Sequence, residues 1–288
     1  MRIALIANPA AGGAPDPEPL AAAIRRGGAE VRVWSRLAGE LEAAARWRPD
    51  RVAVAGGDGS IGACAELAAR LEVPLAVIPM GTANDFARSA ELPLDAEEAS
   101  ELAASGTELR RLDLGRLADG WAFVNVASAG LASAAARRAE ALKPRLGPLA
   151  YAVGALRAAA GETPLRCTVR ADGREVYAGG AWQAIVAVTG AFGAGSEIRA
   201  ADPQDGLLDV AVMPAGSRLG LARRAWGMRR GTLAEQGDVC HARGHTVELD
   251  LPPETELNVD GELREDGMQH ITVEHAAFAL VVGRAGQH

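Results

Sequence analysis

The apolar positions fall into two regimes along the chain. Over the first 115 residues, short apolar runs at 2–7, 30–35, 51–55 and 75–79 alternate with segments at 20–26, 40–47, 60–71 and 96–104 that read as helices. Short unbroken apolar runs are the signature of strands buried on both faces, and their alternation with helices predicts a parallel sheet covered on both sides. This is a three-layer α/β domain over 1–115. Gly27-Gly28 closes the first helix, and Asp95 with Glu98 three residues on opens the last as a capping box. From about residue 114 strand-like runs dominate, at 121–127, 165–171, 181–189, 207–213, 245–251, 269–274 and 278–282. The turn pairs Asp172-Gly173, Asp260-Gly261 and Asp266-Gly267 punctuate them. Apolar and polar residues alternate from Thr246 to Leu251. This second half reads as an antiparallel β-sandwich over 116–282, interrupted by a helical stretch at 132–160. Residues 283–288 form a tail that can pack back on the first domain.

Composition narrows the function. The chain has 288 residues, of which 49% are hydrophobic and 23% charged, enough apolar material for two ordinary cores. A formal net charge of -7 and 4% aromatics argue against a nucleic-acid partner. Cys64, Cys167 and Cys240 are far apart and form no CxxC, so they read as free thiols in a reducing compartment. Asn8-Pro9 interrupts the first apolar run too early for a signal peptide, and the run from Trp121 to Ala136 is too short and polar to span a bilayer. A soluble cytoplasmic protein is the expectation.

Chemistry concentrates at three strand ends. Gly56-Gly57-Asp58-Gly59-Ser60 stands between a strand and a helix. Such a turn brings backbone N–H groups close to a ligand, and the helix N-terminus adds a partial positive charge suited to phosphate. Asn8-Pro9-Ala10-Ala11-Gly12 and Pro79-Met80-Gly81-Thr82-Ala83-Asn84-Asp85 follow two other strands. In a parallel sheet all three ends share one rim, where ligands bind. A carboxylate at Asp58, beside a phosphate site, points to chemistry. Gly57-x-Gly59-x-x-Gly62 matches the dinucleotide fingerprint formally, but it follows the third strand and lacks the acid after the next one. No GxxxxGK[ST] occurs. His241 and His245 lie four apart without the glutamate of a zinc protease motif.

These motifs, in this order, resemble the diacylglycerol kinase catalytic domain family, which includes soluble bacterial lipid kinases, sphingosine and ceramide kinases and, distantly, NAD kinases. Gly56 to Ser60 resembles its GGDGT, Asn8 to Gly12 its NPxxG, and Pro79 to Arg88 its PxGTxNDxAR. Leu146-Gly147-Pro148-Leu149-Ala150-Tyr151 resembles LGxxAY, Asp205 to Val210 resembles DGxLDV, and Asp260-Gly261-Glu262 resembles DGE. The resemblance implies ATP between a nucleotide-binding α/β domain and a C-terminal β-sandwich that takes the lipid. It implies ATP contacts from Asn8, Pro9, Gly12, Ser35, Gly56, Gly57, Asp58, Gly59, Ser60, Gly81, Thr82 and Asn84. Glu262 would be the general base toward a diacylglycerol-like or sphingoid hydroxyl, with Asp58 a second acid or a group acting through a metal. Asp202, Asp205 and the backbone of Leu207 map onto a Mg²⁺ site. Where the family follows its GDGT with a polar Asn-Glu pair, this chain has Gly62 and Ala63. That departure keeps open a second reading, a catalytically weak or inactive nucleotide-binding relative with a regulatory role.

A lipid kinase without a membrane span must meet its substrate at a membrane surface. Arg218, Arg223, Arg224, Arg229 and Arg230 surround Trp226, a composition suited either to a solvated connection or to peripheral contact with anionic lipid. Strand edges in a sandwich also permit a homodimer.

Overall fold

The apolar runs of the first half become one parallel sheet. A computed structural model of the chain describes residues 1–8, 16–35, 38–131, 133–134, 161, 163–192, 196–197, 201–217, 239–253, 255–265 and 268–283. Apart from Ser133 and Ala134, the helical stretch expected at 132–160 lies outside these residues, as do the basic segment around Trp226, the Leu146–Tyr151 motif, Pro9, Gly12 and the tail beyond Gly283. Two compact units result: residues 1–114 with 274–288, and residues 115–273.

In the first unit, β1 (Arg2–Ala7) is flanked by β2 (Glu30–Ser35) and β3 (Arg51–Gly56), and β3 by β4 (Leu75–Pro79), all parallel. Helices α1 (Glu18–Arg26) and α5 (Ala96–Ser105) pack together over one face, burying Ala21, Ile24, Ala99 and Ala103 against Ile3, Leu5, Ala53 and Ile78. Helices α2 (Ala38–Arg46) and α3 (Asp58–Leu71) also pack against the sheet and each other, α2 on β2 and α3 on β3 and β4. The Asp95 carboxylate accepts from the N–H groups of Glu97 and Glu98 at the start of α5. Buried Arg51 begins β3, and its guanidinium donates to the carbonyls of Ala103 and Gly106 at the other end of the same helix.

In the second unit, the long β9 (Arg174–Ala187) does double duty. Its first half pairs with β8 (Leu165–Ala171), and its second half lies between β7 (Val126–Gly130) and β12 (Leu208–Pro214). From β8 the pairing continues through β14 (Thr246–Asp250) to β17 (Met268–Val282). From β7 it runs to β15 (Glu256–Val259) and β16 (Glu262–Glu265), and from β12 to β13 (Cys240–Gly244). Every one of these pairings is antiparallel. Ala127, Val169, Val186, Val210, Val247, Leu257 and Ile271 interdigitate in one core, drawn from both groups of strands. This is the sandwich read from the alternating pattern.

One boundary differs from the sequence reading, which ended the second domain at 282. Residues 269–274 and 278–282 are one strand, and its last part belongs to the first unit. There Leu280 pairs in parallel with Leu75 of β4, and Val281 joins the core under α1 and α5. Phe278, Leu280 and Val281 are fully or almost fully buried, which is why this run is apolar without alternation.

Candidate functional site

Three loops at the carboxyl ends of β1, β3 and β4 are fastened to one another. The parallel register sets Ala7 beside Ala55 and Ser35, and Gly56 beside Pro79, so the chain leaves all four strands at the same rim. Asn8 then donates from Nδ2 to Ser60 Oγ at 2.8 Å, tying the first loop to the buried first turn of α3. A Cβ on Gly56 would lie 2.8 Å from that Ser60 hydroxyl and 3.5 Å from Asn8 Cβ, so glycine is needed for the Asn8–Ser60 bond to form.

Gly57 and Gly81 bring the second and third loops into backbone contact. A Cβ on Gly81 would stand 2.6 Å from Gly57 Cα, closer than side-chain atoms approach backbone. The left-handed backbone of this turn falls on Asn84 (φ 52°), a residue that tolerates it. Asn84 folds its side chain back on the turn, accepting from Gly81 N–H at 2.8 Å and donating to Gly81 O at 3.0 Å. Thr82 is exposed at the tip.

Asn84 therefore does not cap the short helix α4 (Asp85–Ser89), which the sequence pattern did not reveal. Asp58 does so from the first turn of α3. Its Oδ1 accepts from Phe86 N–H at 2.8 Å and its Oδ2 from Asp85 N–H at 3.2 Å. Twenty-seven residues separate the partners in the closer-spaced of these bonds, and no local motif signals such a contact. The first turn of α3 follows Gly57, whose backbone is extended and which has no side chain to cap the helix. A 14-residue helix with a glycine saddle at its N-terminus fits the phosphates of a nucleotide.

Glu262 belongs to the second unit. Asp260 (φ 48°) and Gly261 (φ 92°) form a two-residue turn joining β15 to β16, and Glu262, partly exposed, is the first residue of β16. The Asp260 carboxylate is buried and accepts from Val124, Asn125 and Val126 N–H at 2.8–3.0 Å, pinning the turn to the chain entering β7. The Asp172-Gly173 turn repeats the device. Its carboxylate accepts from His245 and Thr246 N–H at the start of β14, and the Thr246 backbone bond foremost holds the acid below its usual range. An Asp-Gly pair reads as a turn from sequence; that its carboxylate also ties down a distant strand does not.

The loop carrying Asp202, Asp205 and Leu207 is braced from within. Asp202 Oδ1 accepts from Gln204 N–H at 3.1 Å and Asp205 Oδ1 from Leu207 N–H at 2.9 Å. The other Asp205 oxygen takes the Arg243 guanidinium, whose Nε also reaches Asp209 at 3.3 Å. Burial disfavours the charge on Arg243, but Asp209 and Asp205 more than offset this and hold it protonated. His241 Nε2 sits 2.8 Å from Asp209. A guanidinium on these oxygens does not fit a Mg²⁺ ion among them. Among the described residues no three His, Cys, Asp or Glu side chains form a metal-holding group.

Comparison with known proteins agrees with this geometry. Residues 2–117 match the diacylglycerol kinase catalytic domain, and residues 125–282 match the YegS C-terminal NAD kinase beta sandwich-like domain. A diacylglycerol kinase of Mycobacterium tuberculosis is 32% identical over 74% of this chain and 70% of its own length. A Pectobacterium atrosepticum protein named "Probable lipid kinase YegS-like" is 30% identical over 77% of this chain and 74% of its own. The crystal structure of a diacylglycerol kinase from Bacillus anthracis superposes with a TM-score of 0.77 at 22% identity, over 99% of this chain and 98% of that one. An NAD kinase of Archaeoglobus fulgidus, solved in complex with ATP, shares the fold at a TM-score of 0.54 and 15% identity, over 99% of this chain and 94% of that one. With the glycine saddle, the two-unit fold and both halves of the sequence in agreement, the chain belongs to the diacylglycerol kinase family of lipid kinases.

Proposed function

We propose that the protein transfers the γ-phosphoryl group of ATP to the hydroxyl of a diacylglycerol-like or sphingoid lipid. The observation that carries the nucleotide reading is the Gly57–Gly81 approach, which leaves bare backbone in front of α3 where a side chain would fill the space. Backbone N–H groups of the 57–60 turn, the Asn8–Ser60 pair and the exposed Thr82 hydroxyl are the groups to hold the triphosphate, with Ser35 at the end of β2 on the same rim and Pro9 and Gly12 assigned by the resemblance alone. The relative of known fold that was solved with ATP supports this use of the fold. Mg²⁺ bound with the nucleotide would offset the triphosphate charge in a protein whose own net charge is -7.

Glu262 takes the proton of the attacking hydroxyl, a role worth on the order of 10²- to 10⁴-fold in rate. Asp58 acts as a positioning residue, since its carboxylate holds the 81–86 loop against the 56–60 loop. The lipid meets the enzyme at a membrane surface, with Trp226 and the arginines at 218, 223, 224, 229 and 230 as the peripheral contact. Among the described residues no helix is long and apolar enough to cross a membrane. Vesicles should test that contact: sedimentation with anionic lipid at low salt, and little with neutral lipid, is the outcome expected.

The decisive assay incubates the protein with labelled ATP, Mg²⁺ and a lipid panel in mixed micelles. Label in a phospholipid product, lost by about 10²-fold or more in Glu262→Gln with unchanged ATP affinity and thermal stability, is the result expected. Gly62 and Ala63 favour the rival reading of a nucleotide-binding relative without transfer. ATP binding with no label on any lipid would establish that rival, and label on NAD would mark an NAD kinase.

A further inference from the structure

We propose that Arg243 is the built-in cation of the Asp202–Asp209 segment, doing the work that the resemblance assigns to Mg²⁺, so that the second unit folds without a divalent ion there. Asp209 sits second in β12, directly across the antiparallel ladder from Arg243 in β13. Its side chain is 1% exposed, so its charge has lost its water and needs a donor or a cation. Arg243 Nε supplies one at 3.3 Å, and His241, two residues along the same strand, reaches the other oxygen at 2.8 Å.

The far end of the same guanidinium holds Asp205 Oδ2. A single planar fork therefore bridges a buried carboxylate on the strand and an exposed one on the loop, a geometry that ammonium or a spherical ion does not reproduce. Other oxygens of the loop are also engaged: Asp205 Oδ1 accepts from Leu207 N–H, Asp202 Oδ1 from Gln204 N–H, and Gly206 O lies 2.9 Å from His245 Nδ1. Mg²⁺ requires near-octahedral oxygen ligation and repels a guanidinium bound to the same carboxylate. The cross-strand register fixes Arg243, so a cation reaches Asp205 and Asp209 as soon as β12 and β13 pair.

The inference concerns folding of this unit and goes beyond the proposed lipid transfer, so its tests read stability and ion binding, not turnover. The full-length protein, without nucleotide, is melted in EDTA and in excess MgCl₂ at matched ionic strength. An unchanged Tm is expected for the natural sequence. Arg243→Ala should melt lower in EDTA and recover by about 2 °C or more with MgCl₂, as the freed carboxylates accept the ion. Should that variant fail to fold, Mn²⁺ titration of the natural sequence followed by electron paramagnetic resonance needs no variant; absence of an Asp205-dependent Mn²⁺ site is expected. A wild-type Tm that rises with Mg²⁺, or an Mn²⁺ site that Asp205→Asn removes, would overturn the proposal.

Discussion

Individual side chains at the rim of the parallel sheet act on neighbouring loops more than on their own. Gly81 shows this: it is glycine because Gly57 passes 2.6 Å from where its Cβ would be. Gly81→Val should force the two loops apart, at a cost of about 1–3 kcal/mol by the usual price of overpacking. ATP affinity should fall more steeply than stability, measured by nucleotide titration beside a thermal melt. Asp58→Asn presents an amide to two N–H donors where a carboxylate accepted both. Its ATP KM should therefore rise together with a fall in turnover, while Glu262→Gln should change turnover alone. The acid in the first Asp-Gly turn gives a pH signature. Hydrogen bonds from the chain entering β14 hold Asp172 below its normal value, so it stabilises the fold above the unfolded carboxylate pKa of about 4 and loses that contribution as pH falls through its lower folded value. Asp172→Asn should melt below the natural sequence at pH 7, and the gap should close as pH falls below the unfolded carboxylate value of about 4. At this scale the sequence was readable where structure sits in a local run, as with the strand–turn–helix at Gly56 to Ser60. It was silent on what Asp58, Asp260 and Arg243 hold, because their partners lie 27 or more residues away or on another strand.

Secondary elements were legible in proportion to how local their causes are. All four parallel strands of the first half appear within a residue of expectation: β1, β3 and β4 are apolar and largely buried, and the edge strand β2 alternates, with Glu30 and Arg32 exposed. Helix α5 starts after Asp95, as its capping signal requires, and Asp95→Ala should lower stability by about 1 kcal/mol, read from denaturant unfolding. Helix α4 escaped notice because five residues carry no period, and its cap comes from elsewhere. Strands β13, β15 and β16 were also missed: they are short, and β13 is largely polar, with only Gly244 buried. Strand β17 was read as two because Ala276 (φ 50°) interrupts its pattern. There the chain bends under hydrogen bonds from His275 and Ala276 to buried Asp113.

At the scale of the whole chain, the first unit is not continuous in sequence. Its sheet is completed by the last residues of β17, after the entire second unit. A chain ending at 273 should lose Phe278, Leu280 and Val281 from the first unit's core, each large enough to cost about 2–5 kcal/mol when truncated. Loss of its cooperative melt, followed by circular dichroism, is the outcome expected. The order of synthesis gives this arrangement a temporal meaning. When β4 leaves the ribosome its outer edge has no neighbour, and at about 5–20 residues per second the strand that covers it arrives on the order of 10–40 s later. A bare parallel edge invites foreign strands throughout that interval. Nascent chains stalled before β17 is made should be where chaperones find this protein.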